Sequence, residues 1–366
     1  MFAIGYKCMD CNKEIGGAQP VFRCPRCGGS LEVLYDYEQI KANFIPMQFR
    51  YMPPTHMKYY FALPLRKPHN VVTMNEGGTP LVQIGEDLLV KYEGINPTGA
   101  FKDRGSSVEI SMAREFGKKE VVCASTGNMG ASIAAYASKA GMRAVIFTPG
   151  FAEPVKLKQM EYYGAKIVKG GRTYSEALER SVEYAKKSGA YITGDYPYRL
   201  EGQKTVAYEI VDQMNFDAPD NIVIPVGNGT LFYATYKAFK EMITLGIAHK
   251  MPKLIAVQAS GCAPIVDAFK RDKSKVTPVK NPRTIASAIN CDNPVDGAGV
   301  LRALKETKGE AVAVSDQEMR SAKRGLARKG IYAEISSAAA YAGYLKLRPK
   351  GRTVIIITGV GFKDKY

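Results

Sequence analysis

The chain has 366 residues, 46% of them hydrophobic, and its 51 Lys and Arg against 35 Asp and Glu give a formal charge of +16. That length excludes a single compact unit of ordinary size, and 35 Gly with 20 Pro exclude collagen-like and low-complexity sequences. No apolar run approaches the roughly 18–20 residues of a membrane helix, and residues 1–10 lack the features of a signal peptide, so a cytoplasmic protein with no membrane partner is expected.

The chain opens with two C-x-x-C pairs, Cys8 with Cys11 and Cys24 with Cys27, separated by twelve residues. Four thiols at this spacing predict a closed tetrahedral zinc site in a ribbon over residues 1–32. Gly28 and Gly29 follow the second pair, where the backbone must turn tightly. Two disulfides are the alternative, and the missing secretion signal argues against them. Four cysteines leave no open coordination position, so the site would be structural, although iron also accepts four thiolates. Cys123, Cys262 and Cys291 remain, and Cys123 sits in an apolar run that reads as buried structure. His56, His69 and His249 stand at no metal or triad spacing, which argues against a Ser-His-Asp or Cys-His hydrolase.

Residues 33 to about 80 are rich in Tyr, Pro and Met and read as a wrapping segment with short structure. Strands and helices then alternate. Strands are expected at 121–125, 143–148 and 165–169, with helices at 128–140, 153–163 and 174–187; Gly141 and Gly164 stop two of these helices. A second block places strands at 221–226, 254–258, 311–314 and 353–358, and helices at 231–245, 263–271, 316–329 and 336–347. Continuous apolar strands each followed by a helix predict a mainly parallel sheet covered on both faces. The two blocks predict an α/β catalytic region over 33–366. In it a smaller subdomain at roughly 105–200 faces a larger one, built from the flanking segments, across a cleft.

Ligands of open α/β sheets bind beyond the carboxyl ends of the strands, so the strand-to-helix turns carry the chemistry. Ser125-Thr126-Gly127-Asn128 offers hydroxyls and free helix amides to an anion, or serves as an ordinary helix cap. Val226-Gly227-Asn228-Gly229-Thr230 lets backbone amides approach a phosphate, yet is neither a Walker A loop nor G-x-G-x-x-G, since position 232 is Phe. In Asn96-Pro97-Thr98-Gly99-Ala100-Phe101-Lys102-Asp103-Arg104-Gly105, a lysine beside Phe101 before a helix can be desolvated. Desolvation favours the neutral amine that a Schiff base needs. A solvated surface lysine is the ordinary alternative. The basic charge suits nucleic acid, anionic lipid or phosphorylated small molecules. Lys and Arg are spread along the chain without a dense arm, which argues against nucleic acid.

Together these turns resemble a known family. The segment from Lys91 to Gly105 resembles the pyridoxal-phosphate attachment region of the serine/threonine dehydratase and threonine synthase family. Ala100 stands where serine is common, and Ser106 where a small apolar residue is usual. Tyr196 through Thr205, Ser336 to Gly343, and Thr358 to Asp364 are similar to segments of threonine synthases, and archaeal-type members carry an N-terminal zinc ribbon. The landmarks run from Cys8 to Asp364.

The resemblance implies a two-subdomain α/β enzyme of fold type II, tryptophan synthase beta-like, with a small zinc ribbon at its start. It implies that Lys102 forms the Schiff base with pyridoxal phosphate. Asn128 would meet the phenolic oxygen, Gly227, Asn228, Gly229 and Thr230 the cofactor phosphate, and Thr358 the pyridine nitrogen. A neutral hydroxyl there suits elimination and replacement more than transamination. Ser125 and Thr126 would grip the substrate carboxylate, and Arg199 would be the candidate for its phosphate. Cys8, Cys11, Cys24 and Cys27 would hold structural zinc. The implied reaction is that of a lyase converting O-phospho-L-homoserine and water to L-threonine and phosphate, with Lys102 moving protons at Cα and Cβ. The expected partners are a phosphorylated amino acid and a second copy in a homodimer.

Four further positions depart from the family pattern: Met129 stands for threonine, Thr193 and Gly194 for Asn-Ser, and Val360 for histidine. By the resemblance they lie at or near the substrate pocket. They leave open another β-elimination or β-replacement enzyme with the same cofactor, such as a threonine or serine dehydratase, a cysteate synthase or a phosphoserine sulfhydrylase. A nucleic-acid-binding protein on an inactive enzyme fold is a third reading, against which the intact Lys102 argues.

Overall fold

The computed structural model describes residues 2–17, 19–43, 51–125, 127–149, 154–170 and 174–364. Three strands open the chain: β1 (Ala3–Cys8), β2 (Glu14–Gly16) and β3 (Leu31–Tyr35). They form an antiparallel sheet in the order β2-β1-β3. The sheet runs to Tyr35, past the expected boundary at residue 32, because Tyr6, Val33 and Tyr35 all bury against the body of the protein. Helix α1 (Tyr37–Asn43) and short 3-10 turns at 56–62 and 68–70 make up the wrapping segment.

A hairpin of β4 (Leu81–Gly85) and β5 (Leu88–Tyr92) leads to α2 (Lys102–Glu115). The smaller α/β layer follows as β6 (Glu120–Ala124), α3 (Asn128–Lys139), β7 (Arg143–Thr148), α4 (Pro154–Tyr162), β8 (Lys166–Lys169), α5 (Tyr174–Ser188) and β9 (Tyr191–Ile192). Its four strands are parallel, in the order β8-β7-β6-β9. Two helices, α6 (Pro197–Gln203) and α7 (Thr205–Gln213), then return the chain to the larger layer. That layer holds β10 (Asn221–Pro225), α8 (Thr230–Thr244), β11 (Lys253–Ala259), α9 (Pro264–Lys270), α10 (Gly297–Glu306), β12 (Glu310–Val314), α11 (Asp316–Ala327), α12 (Ile335–Leu347) and β13 (Thr353–Ile357).

The larger sheet has six strands in the order β12-β11-β10-β13-β5-β4, all parallel except β4. Every residue of β10 and β13 is buried, which explains why each reads as an unbroken apolar run: helices cover both faces. The strand order reverses between β10 and β13. Connections from β10 run outward through β11 to β12, and the chain then returns to β13 beside β5. The crevice outside such a switch point is where open α/β sheets bind ligands.

Within each layer, helices pack closely through small residues. In α3, a Cβ at Gly130 would stand 2.7 Å from Met160 Cε and 3.1 Å from Ser125 Cβ. In α12, apolar on all sides and buried from Ile335 to Gly343, a Cβ at Gly343 would stand 2.4 Å from Val257 Cγ2.

Candidate active site

A pocket opens at the carboxyl ends of β6, β10 and β13, and Lys102, Ser125, Asn128, Thr230 and Thr358 are on its wall. Lys102 begins α2. The turn before it is tied to the end of β13, because Phe101 N donates to the Thr358 carbonyl at 2.9 Å. Thr98 N and Oγ1 donate to Asp103 at 2.7 and 2.6 Å, which fixes the first turn of the helix. Lys102 Nζ lies 4.7 Å from the Phe101 ring centroid, and no described residue hydrogen-bonds it. Burial pushes its amine below the ordinary lysine value; Asp195 pulls it back up and Arg199 pushes it further down.

The glycine loop after β10 caps α8. Gly229 has φ of +100°, and a Cβ there would stand 2.6 Å from Val300 Cγ2, so glycine is required on both counts. The first amides of α8 therefore face the pocket free of side-chain cover. Asn228 Nδ2 donates to Asp195 Oδ2 at 2.5 Å, and Thr230 Oγ1 donates to Asp296 Oδ2 at 2.6 Å. Burial and the nearby Asp195 charge push the Asp296 carboxyl up to about 6.

Ser125 Oγ accepts from Gly127 N at 3.2 Å and from Gly130 N at 2.8 Å. It is a helix cap and a pocket residue at once: its acceptor sites are used, and its O–H remains to donate. Thr126 lies outside the described residues. Asn128 Nδ2 donates to Glu334 Oε2 at 2.7 Å, while its Oδ1 is buried without a hydrogen-bond partner. Thr358 Oγ1 pairs with Ser337 Oγ at 2.8 Å. No carboxylate oxygen is hydrogen-bonded to this pair of hydroxyls among the described residues.

Arg199 lies behind the pocket wall. It is fully buried and does not line the pocket. Its guanidinium forms a close ion pair with Glu109. It also donates to Ser106 Oγ at 3.1 Å, the Gly194 carbonyl at 3.0 Å and the Lys102 carbonyl at 3.3 Å. Four of its N–H groups are thus engaged, and Arg199 braces the backbone around Lys102. The four departures from the family pattern also separate. Met129 lines the pocket, whereas Thr193, Gly194 and Val360 do not. Thr193 Oγ1 is spent on the Val122 carbonyl at 3.1 Å, and Gly194 N on Glu109 at 2.9 Å.

Sequence reading missed three charged groups on or behind the pocket wall. Asp195 is the first. Burial raises its carboxyl, but the charges of Lys102 and Arg199 outweigh that and hold it below the usual range. Its Oδ1 is buried and unpartnered. Lys156 and Glu334 are the others, paired at 2.7 Å across the cleft between α4 and the residue before α12. A lone acid directly before an otherwise apolar helix was the one sign of Glu334 in the sequence.

Asp195→Asn removes the charge that draws Lys102 back toward protonation. The amine should lose its proton at lower pH, so the rate of pyridoxal-phosphate uptake by the apoenzyme should reach half its maximum at lower pH than in the wild type. An unchanged or upward-shifted profile would separate Asp195 from Lys102.

A half-buried lysine at a helix start, a glycine loop opposite it and neutral hydroxyls at the end of β13 suit an enzyme built around an aldehyde cofactor with a phosphate. Comparison with known proteins agrees. Residues 72–359 match the family described as pyridoxal-phosphate dependent enzyme, and the chain belongs to it. The chain is 40% identical to the threonine synthase of Methanocaldococcus jannaschii, over 98% of this chain and 92% of that protein. It is 41% identical to the threonine synthase of Methanosarcina acetivorans, over 96% of this chain and 90% of that one. Within its class, its family is that of the threonine synthases. The fold is similar to that of maize serine racemase, with a TM-score of 0.68 at 22% identity over 77% of this chain and 88% of that one. A Rhizomucor miehei L-serine ammonia-lyase gives 0.68 at 20% identity, over 77% and 93%.

The residues present fit pyridoxal phosphate. The orphaned Asn128 Oδ1, the bare amides after Gly229 and the unpartnered Lys102 amine are polar groups that a cofactor with a phosphate, a phenolic oxygen and an aldehyde would satisfy.

At the other end of the chain, the thiols of Cys8, Cys11, Cys24 and Cys27 all lie within 4.8 Å of one another. Cys8 and Cys27 Sγ are 3.5 Å apart, and Cys11 and Cys24 Sγ 3.7 Å. A tetrahedral zinc with bonds of about 2.3 Å sets its sulfurs roughly 3.8 Å apart, which these distances accommodate.

Proposed function

We propose that this chain converts O-phospho-L-homoserine and water to L-threonine and phosphate. The observation that carries the reading is the Lys102 amine, unpartnered at the pocket across from the Gly227–Thr230 loop, in a chain 40% identical to a named threonine synthase along 98% of its length. Pyridoxal phosphate, when bound, supplies an electron sink for charge developing at the substrate's carbons. Lys102 would hold it, with Asn128 at its phenolic oxygen, the 227–230 amides at its phosphate and Thr358 at its ring nitrogen. The Lys102 amine, whose hold on its proton burial weakens, would take and return protons at Cα and Cβ. The Ser125 O–H is the donor left for the substrate carboxylate. Lys156 is the cation besides Lys102 on the described pocket wall, and it would meet the substrate phosphate while paired with Glu334.

Two observations favour a second reading. The Asp195 carboxylate and the engaged Arg199 suit elimination from an amino acid without a phosphate. The experiment that tests both incubates the cofactor-loaded protein with O-phosphohomoserine, then with phosphoserine, serine and threonine, and quantifies phosphate, amino acids and 2-oxo acids. Equimolar phosphate and threonine from the first supports the proposal. A 2-oxo acid from serine or threonine, with no phosphate released from phosphohomoserine, supports the second reading.

We infer further that Cys8, Cys11, Cys24 and Cys27 hold a structural zinc, and that the protein works as a cytosolic homodimer. Metal analysis should find one zinc per chain, and paired Cys8→Ser and Cys24→Ser changes should remove it. Because zinc affinity in such sites is folding energy, the melting midpoint should fall with it. Unchanged zinc content in the variant would refute the site. Among the described residues no helix is long and apolar enough to cross a membrane.

A further inference from the structure

The ribbon sits against the pocket, and the contacts come from residues adjoining its cysteines. Arg23 precedes Cys24. Its Nη2 donates to the main-chain carbonyl of Asp195 at 3.1 Å, and its Nη1 to Ser30 Oγ at 2.8 Å. Its guanidinium lies 4.8 Å from the centroid of the Tyr196 ring, and Phe22 packs edge-on against the same ring at 5.3 Å. Ser30 Oγ donates in turn to the Val295 carbonyl at 3.2 Å. At the other knuckle, Met9 lies between Cys8 and Cys11, and its carbonyl accepts from Arg302 Nη1 at 2.6 Å.

Both segments that the ribbon grips belong to the pocket. Asp195 faces Lys102 and accepts from Asn228. Asp296, next to Val295, accepts from Thr230 Oγ1, and its main-chain N donates to the Asn228 carbonyl at 3.1 Å. The loop at 193–196 thus has two supports: Arg199 with Glu109 from within, and Arg23 from the ribbon outside. A charge-assisted bond to a backbone carbonyl, with a ring under the same guanidinium, fixes where the Asp195 side chain starts.

We propose that the cysteine ribbon is a positioning element for the pocket and that Arg23 is the residue through which it acts. Arg23 touches neither cofactor nor substrate; it sets the backbone from which Asp195 reaches toward Lys102. The fold of the ribbon, fixed by its four thiols, then sets how well the pocket orders an amino acid. The turnover half of the test rests on the reaction proposed above; the binding half does not.

The test uses the full-length, cofactor-loaded protein with Arg23→Ala, Arg23→Lys and Ser30→Ala. L-threonine and L-serine are titrated while the visible absorption of the bound cofactor is followed, and KM and kcat are measured with O-phosphohomoserine. Arg23→Ala should keep wild-type zinc and cofactor content, weaken the amino-acid titration and raise KM by roughly tenfold, and change kcat much less. Arg23→Lys should recover part of that, since an ammonium reaches one carbonyl but cannot fork. Wild-type titration and KM in Arg23→Ala would overturn the proposal. So would losses that only parallel lost zinc and cofactor. Should Arg23→Ala fail to fold, Ser30→Ala decides: weakened titration with intact zinc supports the proposal, and wild-type titration overturns it. A wild type that answers the titration but releases no phosphate would count against the proposed reaction alone.

Discussion

Lys102→Ala is expected to lower phosphate and threonine release by at least ~10³-fold, since in the proposed reaction it removes both the covalent attachment of the cofactor and the general acid–base at Cα and Cβ. The loss should be chemical rather than structural. The turn around Lys102 is held by Phe101 N to Thr358 and by Thr98 to Asp103, none of which uses the lysine side chain. The melting midpoint should therefore stay near that of the wild type, while the visible absorption of bound cofactor disappears. Lys102→Arg should be equally inactive, because a guanidinium keeps its proton even when buried. The measurement is product release over a long incubation, beside a melting curve. Turnover within tenfold of the wild type would remove Lys102 from the mechanism.

Arg104→Met is expected to be the most destabilising single change, by about 3–5 kcal/mol, because it leaves buried carboxylates unpaired. Arg104 has no exposed surface. It donates to Glu93 through Nε and Nη2, each at 2.7 Å, and to Glu209 through Nη1 at 2.9 Å. Lys91 Nζ adds a bond to Glu209 at 2.6 Å. Burial pushes both carboxyls up, but Arg104, with Lys91 beside it, outweighs burial and holds them below the ordinary range. In the wild type their contribution is present above the ordinary carboxylate value and is lost only as pH falls through the depressed one. Without Arg104, burial dominates at Glu93 and its pKa rises. The variant's deficit in urea melts should thus be largest at neutral pH and shrink as acid protonates the carboxyls. A deficit that grows on acidification would show that Arg104 works through packing instead of charge.

Much of the fold was legible because its core strands are buried on both faces. β7 and β13 read as apolar runs, and their ends fall where hydropathy changes. The helices α6 and α7 were not legible. From Pro197 to Val211 they carry Arg199, Glu201, Lys204 and Glu209, a composition that reads as exposed, yet all four are buried. Each is buried because a partner distant in sequence neutralises it: Arg199 pairs with Glu109, 90 residues away, and Lys204 with Glu241, 37 residues away. Spacing rules see neighbours, not such partners. The same blindness left Asp195, Lys156 and Glu334 unnoticed. The turn at 227–230 was visible because a left-handed glycine is required there, whereas the role of Lys102 came from the resemblance.

The seat of the ribbon has a consequence for how the chain reaches its native state. Val33 N and Tyr35 Oη donate to Glu201 at 3.3 and 2.9 Å, across 168 and 166 residues, and Lys237 Nζ donates to the Val33 carbonyl at 2.5 Å, across 204. The knuckles close over only a few residues, as in Gly28 N to the Cys24 carbonyl at 2.8 Å, so they can form while the chain is still leaving the ribosome. Their landing place cannot, because Lys237 is made long afterwards. The ribbon is therefore a preassembled piece that must wait, with Tyr6, Val33 and Tyr35 uncovered, for a cradle finished late in synthesis. Its docking closes some of the longest loops in the molecule, and contacts of that reach are slow to form. Cutting the chain after Tyr35 would not yield a lighter enzyme. It would open to water the ion pairs of Glu201 with Lys204 and Lys237 that the ribbon now covers.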